Sequence, residues 1–184
     1  MNIIETKLSG LLIIEPKVFE DNRGYFFESY NKKKWEEAGI DINFVQDNQS
    51  LSGYGVIRGL HYQLAPYAQT KLVRVLHGKV LDIVVDIRQG SLTFGHSLGI
   101  GLSSDNKKQV LIPQGFAHGF VVLSEQAVFH YKCDKYYNPE FERGIHPIDP
   151  DLNIIWQIPA KDQLISKKDR KLPRFSEAEM NYYI

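Results

Sequence analysis

The chain has 184 residues, with 22 Lys and Arg against 22 Asp and Glu, so its formal net charge at pH 7 is zero. That length predicts a single domain, residues 1–184, with a core that needs neither disulfides nor a structural metal, and the neutral balance excludes a general nucleic-acid binder. A 43% hydrophobic share excludes disorder, the lone Cys133 excludes a disulfide framework and any Cys-x-x-Cys motif, and no apolar run approaches the roughly 20 residues of a membrane span.

The N-terminus lacks the basic-then-apolar pattern of a signal peptide, so a cytoplasmic location is expected. Short β-type runs punctuated by turns then predict an all-β sandwich or barrel. Leu11–Val18 is β-rich, although Pro16 interrupts its pairing. Asp21–Gly24 reads as a turn, followed by the aromatic run Tyr25–Tyr30. Asn31 is placed to cap a short helix through Ala38, stopped by Gly39. Lys71–Ile87 reads as a hairpin around His77-Gly78-Lys79. Phe94–Leu102, Gln109–Ile112, Phe116–Leu123 and Ala127–Cys133 read as further strands. The last 30 or so residues, with Pro159 and Pro173, suggest loops and a short helix. Ser166-Lys-Lys-Asp169 has the form of a helix cap.

Strand parity places candidate functional side chains, because alternate residues face opposite sides. Tyr131 shares parity with Phe129 and Cys133 and should point inward, with His130 and Lys132 outward. Lys71 shares parity with Val73 and Val75, so it too should face the apolar side, where a lysine is costly without a partner or ligand. A lysine at a strand end that snorkels outward is the plainer reading. In Leu81–Ile87 the odd-numbered residues are all apolar, and Asp82, Val84 and Asp86 lie opposite. His118 shares parity with Phe116 and Phe120, and such a histidine is usually a satisfied core residue. Arg58 and His61 fall on opposite parities in a regular strand, unless Gly59 marks a bulge that reorients them.

A catalytic metal is disfavoured. Metal-bearing small barrels commonly use a His-x-His pair, and here the segment is His61-Tyr62-Gln63. No Walker loop or Gly-x-Gly-x-x-Gly fingerprint is present. Arg23, Arg58, Lys167, Lys168 and Arg170 are candidate diphosphate contacts, against a plain reading of the tail cluster as a solvated basic face.

Taken in order, the motifs are specific. They are Asp21-x-Arg23-Gly24-x-Phe26-x-Glu28, Gln46-Asp47-Asn48-x-Ser50, Arg58-Gly-Leu-His61-Tyr-Gln63 and Lys71-Leu-Val-Arg-Val. Then come Pro113-x-Gly-Phe-Ala-His118-Gly-Phe, Tyr131-Lys132, Tyr136-Tyr137-x-Pro139, Glu142-Arg143-Gly144-Ile145 and Ser166-Lys-Lys-Asp169. This set, spanning nearly the whole chain, resembles the dTDP-4-dehydrorhamnose 3,5-epimerase family. The resemblance implies a cupin-like jelly-roll β-barrel with a few short helices. It implies a cofactor-free, metal-free enzyme, a homodimer, and a dTDP-sugar substrate inverted at carbons 3 and 5. It also implies site residues: His61 as base with Asp169 as its partner, Tyr131 as acid, and Lys71 and His118 around the sugar. Tyr137 would stack on thymine. Arg23, Phe26, Glu28, Gln46, Asp47, Asn48, Arg58, Glu142 and the tail residue Lys167 (with Lys168 adjoining) would bind substrate.

The chemistry suits these residue types. Carbons 3 and 5 flank a ketone, so removing either proton gives an enolate. A neutral imidazole, with an unperturbed pKa of about 6.5, suits the base, and a carboxylate on its other nitrogen fixes the tautomer. A tyrosine stays protonated at pH 7 and can donate. Three rivals remain open: an epimerase of one carbon or of a related nucleotide sugar, a non-catalytic sugar-binding barrel, and a metal-dependent oxygenase.

Overall fold

A computed structural model of residues 1–184 shows a mostly antiparallel β-sandwich. Fourteen strands are formed: β1 (Asn2–Glu5), β2 (Leu12–Glu15), β3 (Val18–Asp21), β4 (Gly24–Phe27), β5 (Gln46–Gly53), β6 (Val56–Gln63), β7 (Lys71–His77), β8 (Lys79–Asp86), β9 (Ser97–Ser103), β10 (Gln109–Ile112), β11 (Phe116–Val122), β12 (Gln126–Cys133), β13 (Glu142–Gly144) and β14 (Leu164–Ile165). One sheet runs β1-β2-β10-β7-β12-β5. The facing sheet runs β13-β6-β11-β8-β9, with β14 also on β6. The two sheets make an open sandwich of the jelly-roll kind rather than a closed barrel.

Between the sheets lies one core, including Val73, Val80, Val84, Leu102, Phe120 and Phe129. A second lies under the C-terminal tail, where Leu81, Ile83, Val85 and Ile87 meet Trp156 and Ile165. Strand β8 is thus buried on both faces. Its apolar parity serves the tail, and the face carrying Asp82 and Val84 looks between the sheets. This reverses the simple reading of its alternation.

The expected hairpin over Lys71–Ile87 is not one. Strand β7 pairs with β10 and β12, whereas β8 pairs with β9 and β11. The chain crosses from sheet to sheet at Gly78, whose φ is +78° and whose missing Cβ would lie 2.0 Å from the Gln126 carbonyl oxygen. Turn and strand signals mark the bend but not the hydrogen-bonding neighbour. Strand β9 starts at Ser97, not Phe94. Residues before it form a turn whose Ser91 and Thr93 hydroxyls donate to buried Asp86, each at 2.6 Å.

The short helix α1 (Lys32–Glu37) forms as expected. The Asn31 side chain accepts from the Lys34 amide at 3.3 Å, and buried Trp35 packs on Ile14, Leu72 and Leu111. Strands β3 and β4 form a separate two-stranded ribbon. No helix is long and apolar enough to cross a membrane.

Candidate active site

A cavity of about 710 Å³ opens between the sheets at one end of the sandwich. It is lined by Asn48, Arg58, His61, Lys71, His118, Tyr131, Lys168 and Asp169, with Phe120, Phe129 and Ile165 among its apolar walls. That volume and mixture suit a small-molecule ligand.

Strand register explains the gathering. Strands β5, β7 and β12 present Asn48, Lys71 and Tyr131 from one sheet, with Asn48 directly across from Tyr131. Strands β6 and β11 present Arg58, His61 and His118 from the facing sheet, with His61 directly across from His118. Next to that pair the register shifts: Arg58 to His61 spans three residues on β6, and Phe120 to His118 spans two on β11. Gly59 therefore marks the bulge, and it brings Arg58 and His61 to the same cavity. The approach is close enough to require glycine on both strands. A Cβ on Gly59 would lie 2.5 Å from the Gly119 Cα, and one on Gly119 would lie 2.6 Å from the Arg58 carbonyl oxygen.

His61 Nε2 lies 2.8 Å from Asp169 Oδ1. Asp169 is 4% exposed. Burial alone would push its carboxyl up. The bond and charge of His61, with contacts from Ser166 and the Gly59 amide, outweigh burial and hold it below the ordinary value. The Ser166 hydroxyl accepts from the Asp169 amide at 3.0 Å, but the expected helix is only a single 3₁₀ turn, Asp169–Lys171, whose cap position is Lys168 and carries no side-chain cap bond.

Tyr131 faces inward beside Phe129, and burial raises its pKa, chiefly by disfavouring the phenolate. Lys71 faces inward as its parity predicts. Its Nζ lies 5.8 Å from the Tyr131 ring centroid, and it makes no ion pair or side-chain hydrogen bond. Burial pushes the Lys71 ammonium down; Cys133, Glu142 and Asp82 oppose that. Arg58 is oriented by Nε donating to the Ser52 hydroxyl at 3.0 Å, which ties the two sheets together.

His118 carries a partner that parity alone did not reveal. Its Nε2 lies 2.7 Å from Asp82 Oδ1. Asp82 is fully buried, and its Oδ2 is the one buried side-chain polar atom without a hydrogen-bond partner. Reading Asp82 as the off-core side of β8 hid it. The signal that could have found it is a carboxylate inside an otherwise apolar strand.

At the rim, Lys168 Nζ donates to Glu142 Oε2 at 2.6 Å, and the Tyr137 hydroxyl donates to the same oxygen at 2.8 Å. Burial would push the Glu142 carboxyl up, but these two bonds bring it below its ordinary value. Gln46 donates to Asn48 Oδ1 at 3.0 Å.

Several expected contacts lie elsewhere in this chain. Lys168, not Lys167, is the tail cation on the cavity, where it pairs with Glu142; exposed Lys167 has no ion-pair partner. Asp47 is turned away by β-alternation and binds Lys132 Nζ through both oxygens at 2.9 Å on the outer face. Arg23 and Phe26 stand on the β3–β4 ribbon, with Phe26 69% exposed, and Glu28 pairs with Lys34 at 2.9 Å; none of the three lines the cavity. Nowhere do three or more His, Cys, Asp or Glu side chains converge as metal ligands.

Comparisons with known proteins point to one family. A sequence model of the dTDP-4-dehydrorhamnose 3,5-epimerase family matches residues 5–177. The chain is 52% identical over 185 residues to the dTDP-4-dehydrorhamnose 3,5-epimerase of Shigella flexneri, covering 100% of both. It superposes with a TM-score of 0.91 on the crystal structure of the same enzyme from Elizabethkingia anophelis, at 54% identity and covering 96% and 97% of the two chains. It matches equally well, at 0.91 and 51% identity and covering 96% and 93%, a Legionella pneumophila epimerase solved with dTDP-4-keto-L-rhamnose.

Proposed function

The chain belongs to the dTDP-4-dehydrorhamnose 3,5-epimerase family and is an epimerase of dTDP-rhamnose biosynthesis, and from this we propose how its own residues carry the reaction. The substrate is dTDP-4-dehydro-6-deoxy-D-glucose, inverted at carbons 3 and 5 to give dTDP-4-dehydro-L-rhamnose. The observation that carries the reading is the placement of base and acid on opposite walls. His61 and its Asp169 partner belong to one side of the cavity, and Tyr131 projects from the facing sheet.

With Asp169 accepting from Nε2, the His61 Nδ1 lone pair is the base. It removes the proton at carbon 5 or carbon 3 and leaves an enolate across carbon 4. Lys71 and His118 bracket the developing oxyanion, where charge in a dry site is worth far more than in water. Tyr131 returns a proton to the opposite ring face; before the second carbon is inverted, Tyr131 takes a proton from solvent and His61 gives its own up to solvent. Arg58 and Lys168 take the diphosphate, Asn48 and Gln46 the sugar side, and Tyr137 the thymine. No step calls on a metal or cofactor.

The protein acts as a homodimer in which the β3–β4 ribbon completes the partner's cavity. Arg23, Phe26 and Glu28 match substrate-binding positions yet stand off their own cavity, and the exposed aromatic Phe26 suits a surface that another copy covers. Mixing an Arg23→Ala variant with a His61→Asn variant tests this. Recovered activity in the mixture fits shared sites, and none argues against them. The buried free Cys133 fits a cytoplasmic location, and residues 1–184 are read as one domain.

The direct test is incubation with dTDP-4-dehydro-6-deoxy-D-glucose in deuterated water, followed by proton NMR. Exchange at carbons 3 and 5 is expected. Exchange at one carbon would replace this reading with a single epimerase. None, with binding intact, would replace it with another nucleotide sugar or a binding function.

A further inference from the structure

The segment 135–138 follows β12, forms neither helix nor strand, and carries Tyr137, which is half exposed at the cavity rim. Its backbone is nonetheless held at four consecutive residues by three glutamine side chains. Gln69 Nε2 donates to the Lys135 carbonyl at 2.8 Å. Gln63 Nε2 donates to the Tyr67 carbonyl at 2.7 Å and to that of Tyr136 at 3.4 Å. Gln46 Oε1 accepts from the Tyr137 amide at 3.0 Å, and Gln63 Oε1 accepts from the Asn138 amide at 2.7 Å.

We propose that Gln63, with Gln46 and Gln69, forms a positioning clasp that presets the Tyr137 ring for the thymine of the substrate. The inference rests on the stacking role given to Tyr137 above and adds the residues that hold it ready.

Three features carry it. Gln63 is 4% exposed and uses both ends of its amide, which only a side chain with a donor and an acceptor can do. Gln63 also lies directly across from Glu142 in the β6–β13 register, and Glu142 accepts the Tyr137 hydroxyl. Neighbouring positions on two paired strands therefore hold the tyrosine at its backbone and at its tip. Lastly, Gln46 comes from one sheet and Gln63 from the other, so the clasp closes across the mouth of the sandwich. An irregular segment left free would have to be ordered by the ligand, at a cost in affinity. One ordered beforehand avoids that cost. Amides do not titrate, so the glutamine hold on the backbone stays set at any working pH. The position two residues after His61, which a metal barrel would fill with histidine, here serves nucleotide recognition.

The test is a double-mutant cycle on the full-length protein, with dTDP itself as the probe in calorimetry and the dTDP-sugar in turnover. Gln63→Glu keeps length and acceptor but loses both donated bonds. It should weaken dTDP binding and raise KM about tenfold, with kcat within about twofold. In a Tyr137→Ala background it should change dTDP affinity no further. Gln69→Met, at a less buried site, should show the same pattern more weakly and serves if the Gln63 variant does not fold. Loss of dTDP affinity independent of the Tyr137 ring, or a fall in kcat at constant KM, would overturn the clasp alone. Unchanged dTDP affinity in Tyr137→Ala by itself would overturn the stacking role and the clasp with it.

Discussion

Two histidine–carboxylate pairs face the same cavity and live in different surroundings. His61 keeps 31% of its side chain exposed, and its partner Asp169 is held by Ser166 and Gly59 as well. His118 keeps 8%, and its partner Asp82 is wholly enclosed with one oxygen bare. A base must meet substrate and exchange its proton, so it needs access and a carboxylate whose own bonds fix the tautomer. An enclosed pair is poorly suited to that traffic but well suited to hold a fixed charge and orientation. The cavity also contains an unpaired Lys71, and Asp82, after Cys133 and Glu142, is one of three groups that oppose the downward push of burial on the Lys71 ammonium. On the mechanism proposed above, identical chemical pairs take different duties from their different burial and bonding.

The largest effects should separate the two histidines. His61→Asn and Tyr131→Phe should each lower kcat by about 10²–10⁴-fold with dTDP affinity intact, read by deuterium exchange and calorimetry. His118→Asn should cost less; an equal loss with exchange abolished would collapse the distinction. Next comes the first carboxylate. Asp169→Asn should cost about 10²-fold in kcat, because the amide no longer fixes the imidazole tautomer or stabilises its charged form.

The second carboxylate should show itself in a pH profile more than in a rate. Lys71 loses its proton at lower pH than an ordinary lysine, because burial disfavours the charge, and Asp82 works against that shift. Removing the negative charge with Asp82→Asn should therefore move the alkaline limb of kcat/KM to lower pH, with a loss of about tenfold at neutral pH. An unmoved limb would deny Asp82 its influence on Lys71.

The smallest effect on activity, and a clear one on stability, should come from a carboxylate outside the cavity. Burial alone would push the Asp86 carboxyl up, but Arg88, Ser91 and Thr93 bring it down from 3.8 to about 2. Being depressed, it stabilises the fold above the unfolded value, and that contribution is lost as pH falls from about 4 through about 2. The shift corresponds to about 2 kcal/mol. Asp86→Asn should lower Tm at pH 7, flatten the acid limb of stability, and leave kcat within about twofold.

Local patterns were legible where one strand or one turn decided the outcome. Parity aimed Tyr131 and Lys71 inward and His130 and Lys132 outward, and Asn31 marked the start of its helix. Ordered motifs identified the family and named Asn48, Arg58, His61, Lys71, His118, Tyr131 and Asp169, which line the cavity. Less was legible where polar residues formed strands: β5 reads Gln-Asp-Asn-Gln-Ser-Leu-Ser-Gly and carries little hydrophobic signal, because its inner face lines the cavity through Asn48 and Ser50. Motif matching also treated Asp47 and Asn48 alike, although successive strand residues must face opposite ways.

What the sequence determined by itself was the all-β class, the alternation within each strand, and a set of residue types suited to enolate chemistry. These are local properties, set by backbone sterics and side-chain chemistry. Only the tertiary structure decided that the chain changes sheets at Gly78, that a bulge at Gly59 turns Arg58 and His61 to one cavity, that Asp82 looks inward to His118, and that Lys168 rather than Lys167 meets Glu142. Each depends on which strand pairs with which and on how closely two backbones approach, and residues distant in sequence fix both together.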